Sequence, residues 1–231
     1  MAELAMDDGK SAIVFDDPVT SLDHLWRDSF ARRIAQEAEY RQVIVFTHDV
    51  AFLNSLQEEA TEIDIPLHLQ QVKMIARKAG IVSDDLPWVA QKTRHRLDDL
   101  EKRISPLRNL FKEGDEDKYA EAVGPYYSRL RATIERAIVD VFLVNIVQRH
   151  REQVVVNHDR IKRVSVIERD DWEDVSKLHK RCCGITEAHD RGELRSHQGA
   201  PDPDMIKTDL DSLSSLVTDI RQRQKDAVKT T

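Results

Sequence analysis

Residues 13–24 read IVFDDPVTSLDH. The apolar run that starts at Ala12 stops abruptly at Asp16 and Asp17. A short β-branched run bounded by DDGK before and DDP after is the signal of a buried strand. A strand in an open α/β sheet presents its last residues at the carboxyl edge, where ligands bind. Two neighbouring carboxylates there repel each other unless a cation neutralises them. Mg²⁺ held by one or two carboxylates plus substrate phosphates fits that need. In phosphoryl transfer, one acidic residue at such an edge helps hold Mg²⁺ while a neighbouring group orients the attacking water. This logic gives Asp16 to the metal and Asp17 to the water. The plainer alternative is a polar turn after a strand.

Outward from this stretch, residues 23–40 read as a helix. Asp23 is placed to cap it, and Leu25, Trp26, Phe30 and Ile34 fall on one side. Residues 42–47, QVIVFT, are a second buried strand. It runs into THD, which puts His48 at the same sheet edge, where a histidine can contact a γ-phosphate or a reacting water. A helix follows at 50–62 with Phe52, Leu53 and Leu56 inward, then a third strand at 67–76. Strand–helix–strand–helix–strand order argues for an α/β lobe with a mostly parallel sheet over residues 1–84. SDDLPW at 83–88 marks the boundary. From 85 to 231 the pattern is all-α, with helices near 88–111, 126–150, 169–182 and 203–226. The loop FKEGDEDKY separates the first two, and Pro125 suits the start of the second. In the last, Ile206, Leu210, Leu213, Val217 and Ile220 form a one-sided stripe.

The 231 residues suffice to bury a real core. With 40% apolar and 33% charged residues, and seven each of Gly and Pro, the composition suits a helix-rich globular protein. A net charge of −7 excludes a generic nucleic-acid binder, though not a local basic patch. The two cysteines, Cys182 and Cys183, are adjacent, and no CxxC occurs, which predicts a reduced, cytoplasmic protein. The first ten residues do not have the pattern of a secretory signal, and no apolar run reaches membrane-spanning length.

Taken as a set, IVFDDP, SLDH, a helix-length spacer and VIVFTHD resemble the C-terminal part of an ABC-type ATPase head. The similar group is the RecF, SMC and RloC/PrrC-like ATPases of DNA repair and phage defence. The resemblance implies a P-loop fold in which IVFDD is the Walker B strand, SLD the D-loop and His48 the switch histidine. ATP and Mg²⁺ would be the cofactors. Asp16 would hold the metal, Asp17 and His48 would act in hydrolysis, and Asp23 would reach across a dimer of heads. Many heads carry Glu where this chain has Asp17, as RloC-like members often do. No GxxxxGK[ST] and no LSxGE occurs in the chain. Gly9–Lys10 is too short for a phosphate loop and precedes a strand instead of following one. MAELAM resembles the end of the helix after the signature. The resemblance therefore implies a C-terminal piece: a truncated gene, a split subunit or an excised part. Its partner would be the N-terminal lobe, or a second full-length copy, with DNA or RNA as a further partner class and no membrane. Alone it would hold half a site, bind ATP negligibly and expose a sheet edge prone to association.

In the helical part, Arg131 and Glu135 stand four apart and share one helix side. The bland reading is a surface ion pair within a structural or partner-docking module. The sharper reading is again a resemblance: PrrC- and RloC-type anticodon nucleases carry R-x-x-x-E with a distant histidine. It implies metal-independent RNA cleavage using Arg131, Glu135 and His189, with His150, His158 and His197 as lesser candidates. The basic cluster Arg149, Arg151, Arg160, Lys162 and Arg163 could track phosphates. Without interleaved aromatics it reads more simply as a solvated face. Cys182 and Cys183 with His179 and His189 make a poor zinc set, because adjacent cysteines chelate badly.

Overall fold

Strand β1, Ile13–Asp16, pairs in parallel with β2, Val43–Phe46, in the register Ile13↔Val43 to Asp16↔Phe46. The structure, a computed structural model, describes residues 11–20, 24–147, 154, 157–190 and 199–229. Asp23 and the rest of SLD, with Arg149, His150, Arg151 and His197, lie outside the described residues. Helix α1, His24–Glu37, leads from β1 back to β2, and α2, Val50–Glu62, follows β2. Period-2 alternation sends Phe15, Val43 and Val45 onto the helices. There they meet Val19, Ala31, Ile34, Phe52 and Leu56 in one apolar cluster. Phe30 bridges it, edge-on to Phe15 at 6.0 Å and stacked on Phe52 at 6.2 Å. Trp26, expected on the inner side, is 65% exposed. The buried stripe of α1 runs instead through Ala31, Ile34 and Ala35.

The expected α/β lobe with a mostly parallel sheet is not what forms. Among the described residues the chain is mostly helical, with seven α-helices and two sheets of two strands each. The third apolar run makes β3, Gln71–Ile75, which turns back at once into β4, Lys78–Ser83, as an antiparallel hairpin. Ala76 and Arg77 take φ of 48° and 65° at the turn. Two consecutive left-handed residues are the mark of a tight hairpin turn, usually written Asn-Gly. The hairpin uses the hydrogen-bonding edge that a parallel third strand would have offered to β1–β2. The outer face of that pair is open: Val14 is 58%, Ile44 38% and Phe46 52% exposed. Parallel strands ordinarily have both faces covered, and here one is.

The chain divides into two compact units, Met1–Gln91 and Lys92–Thr231. The second is built from α3 (Thr93–Glu113), α4 (Glu116–Ala137), α5 (His158–Val164), α6 (Arg169–Asp190) and α7 (Pro203–Lys229). The expected loop at 111–119 shrinks to a turn: Gly114 ends α3 in the left-handed region (φ 73°) and Asp115 caps α4 by accepting from the Lys118 N–H. Pro125 therefore lies inside α4, not at its start. An interior proline costs about 3 kcal/mol. Val123 and Leu130, both fully buried beside it, each contribute roughly 1.5–3 kcal/mol and offset that cost. The expected helix also stops early. Residues Ile138–Phe142 widen into a π-turn, with the Leu143 N–H donating to Ile138 O at 2.8 Å. Val144 and Asn145 then take φ of 46° and 54°, a strained conformation for a β-branched residue. Neighbours hold it: buried Phe142 packs on Trp172 at 4.8 Å, Gln224 Nε2 donates to Val141 O at 2.7 Å, and Arg160 donates to Asn145 O at 3.0 Å. Every member of the α7 stripe, Ile206 through Ile220, is buried as expected.

Candidate functional site

Parallel pairing brings the ends of β1 and β2 to one edge. Beyond the last matched pair, Asp16↔Phe46, the Asp17 N–H donates to Phe46 O at 2.8 Å. The chain then leaves β1 through Asp17 at φ 45°, a left-handed conformation that Asp tolerates better than most residues. That twist turns the Asp17 carboxylate toward the end of β2. His48 Nδ1 lies 2.8 Å from Asp17 Oδ2, and Thr20 Oγ1 donates to the same oxygen at 2.6 Å. Thr47 Oγ1 approaches Oδ1 at 3.5 Å. Thr47 Oγ1 also accepts from the Asp49 N–H at 3.1 Å, and Asp49 caps α2 by accepting from the Ala51 and Phe52 N–H groups. Arg27 pairs with the other Asp49 oxygen at 2.9 Å. Asp17 is thus fixed on several sides, while the His48 side chain is 81% exposed. Asp16, still in the strand, is exposed and by alternation lies on the opposite face from Phe15.

Asp17 and His48, 31 positions apart, are therefore brought together, with Asp16 beside them in the chain. Thr20 and Thr47, which hold the carboxylate, were not singled out in the sequence. Their signal is the hydroxyl three residues after Asp17 and the one just before His48. Two neighbouring carboxylates are present, but among the described residues no group of three or more His, Cys, Asp or Glu is placed to hold a metal ion. A phosphate cradle of backbone N–H groups needs a glycine-rich loop opening a helix, and the sequence contains no GxxxxGK[ST].

The second set of candidates falls on the α4–α6 contact. Arg131 Nε stands 4.0 Å from Glu135 Oε1, a half-exposed i,i+4 pair. His189 does not join them. Its ring lies on Gly124, where a Cβ would overlap it, and its Nδ1 faces Asp190 at 3.4 Å. Gly124 is eleven residues before Glu135 on the same helix, about 16 Å along the axis. The histidine that does meet Glu135 is His179, with Nε2 at 3.6 Å from Oε1. Cys183 Sγ lies 3.8 Å from the other nitrogen of that ring. His158 is exposed and faces Asp159 at 3.8 Å. Of the basic cluster, Arg160 is committed to Asn145 O.

Beneath this surface, α4, α6 and α7 meet at a buried polar group. Tyr127, fully buried, donates its hydroxyl to Asp209 Oδ2 at 2.7 Å, and Arg181 Nε reaches the same oxygen at 3.1 Å. Burial, followed by the Asp209 carboxylate, pushes the Tyr127 hydroxyl well above its ordinary range. Burial likewise pushes the Cys182 thiol up to about 12, with Asp209 adding to the effect.

No family model, no curated protein and no solved structure matches the chain. No helix among the described residues is long and apolar enough to cross a membrane.

Proposed function

We propose that the joined ends of β1 and β2 are the metal- and water-handling part of an ATP-hydrolysing site, completed by phosphate-binding groups on another polypeptide segment. The contact of His48 Nδ1 with Asp17 Oδ2 at 2.8 Å carries this reading. It supplies an anchored carboxylate with an exposed histidine against it, at the shared end of two parallel strands. Asp17 orients the attacking water and draws on its proton, and His48 meets the terminal phosphate. Asp16 is the metal ligand; bound Mg²⁺ would neutralise charge on the phosphates. The open face bearing Val14, Ile44 and Phe46 fits a surface that the completing segment covers. DNA repair or phage defence is the setting this reading carries from the sequence resemblance.

The ribonuclease alternative asks for His189 beside Arg131 and Glu135. With His189 packed on Gly124, that alternative has no supporting observation.

The test is a pair of measurements on this chain, alone and together with a polypeptide carrying GxxxxGK[ST]. Calorimetric titration of the chain alone with MgATP should give no binding, since half the ligand's contacts are missing. The reconstituted assembly should release phosphate from ATP. Tight ATP binding or turnover by the chain alone, or no turnover by the assembly, would overturn the proposal.

A further inference from the structure

In the helical unit, α6 carries two adjacent thiols in different surroundings. Cys182 is fully buried, and Cys183 is only partly so. One helical turn before Cys183, His179 lies on the same face, as i,i+4 spacing requires. Its Nδ1 is 3.8 Å from Cys183 Sγ and its Nε2 3.6 Å from Glu135 Oε1. In the tautomer that serves the reaction, the ring proton sits on Nε2, the nitrogen nearer the Glu135 carboxylate. That leaves the Nδ1 lone pair facing the thiol. Nucleophile, base and orienting carboxylate thus stand in line across two packed helices, an arrangement that activates a thiol.

We propose that Cys183 is a reactive thiol, served by His179 and Glu135, that exchanges with low-molecular-weight disulfides and is thereby modified. In the reaction His179 Nδ1 takes the Cys183 proton. The thiolate attacks one sulfur of the disulfide, forming a new S–S bond as the old one breaks. The departing thiolate leaves with the electron pair and receives the proton from His179. The balance is one protein thiol and one disulfide giving one mixed disulfide and one free thiol. Arg131, beside Glu135 on α4, adds a positive charge to the cluster. On α6, Glu187 lies a turn beyond Cys183 and Lys180 next to His179. From α7, Asp209 acts on Cys182, whose burial keeps it from competing or resolving the product.

The probe is oxidised glutathione, added at neutral pH to the full chain and followed by intact mass and peptide mapping. One glutathione should add, on Cys183. Cys182→Ser should leave the rate unchanged and Cys183→Ser should abolish the adduct. His179→Gln should slow it about tenfold, because an unassisted thiol is only a few per cent ionised at pH 7. Glu135→Gln, which leaves α6 untouched, should move the pH profile of the rate upward. An adduct on Cys182 or none at all would overturn the proposal. So would a His179→Gln rate within about twofold of the parent, or a pH profile that Glu135→Gln does not move.

Discussion

Asp17→Asn in the reconstituted assembly should reduce ATP turnover by about 10²- to 10⁴-fold, the usual contribution of a positioned base, and leave ATP-driven association of heads intact. The amide is nearly isosteric with the carboxylate. Thr20 at 2.6 Å and His48 at 2.8 Å can still hold it, so the end of β1 should keep its path. What is lost is the capacity to accept a proton from water. Asp16 keeps its own carboxylate, so metal and nucleotide binding should survive. Steady-state phosphate release checks the first half and light scattering with ATP the second. Undiminished turnover would remove Asp17 from the mechanism.

The second large effect is on stability. Asp209→Ala should destabilise the helical unit by about 2–4 kcal/mol in urea denaturation. The Asp209 side chain is 8% exposed and ties α7 to Tyr127 of α4 and Arg181 of α6. Its loss strands the Tyr127 hydroxyl in the core, where an unsatisfied donor costs about 1–3 kcal/mol. Arg181 is 40% exposed and can turn toward water, which keeps the total below that of a sealed ion pair. Tyr127→Phe removes the donor itself and should cost only about 1 kcal/mol. An Asp209→Ala midpoint equal to that of the parent would show that the group does not hold the three helices.

The strand edge was legible in the sequence because its determinants are local. Two short β-branched runs, each stopping at polar residues, predict where β1 and β2 end, and parallel pairing then makes Asp17 and His48 neighbours. The rest of the sheet was not legible. The turn at Ala76–Arg77 takes two left-handed residues without Gly or Asn, so nothing announced that the third run would fold back on itself. Pro125 misled for a related reason. Proline usually opens a helix, but the burial of Tyr119, Tyr126 and Tyr127 carries α4 through it. The histidine partner of Glu135 was missed because α6 was expected to end at 182, with His189 on a loop free to reach back. The helix runs on to Asp190, and a continuous helix fixes His189 about 15 Å along the axis from His179. The H-x-x-x-C spacing of His179 and Cys183 was the available signal.

On the proposed reading Asp17 and His48 act as one hydrolytic unit. The most direct test is a double-mutant cycle on turnover by the reconstituted assembly, comparing Asp17→Asn, His48→Ala and the pair. Residues that act together are strongly non-additive. Each single variant should lose turnover heavily, and the double variant should lose no more. Unchanged turnover in His48→Ala, or losses that multiply in the double variant, would contradict it.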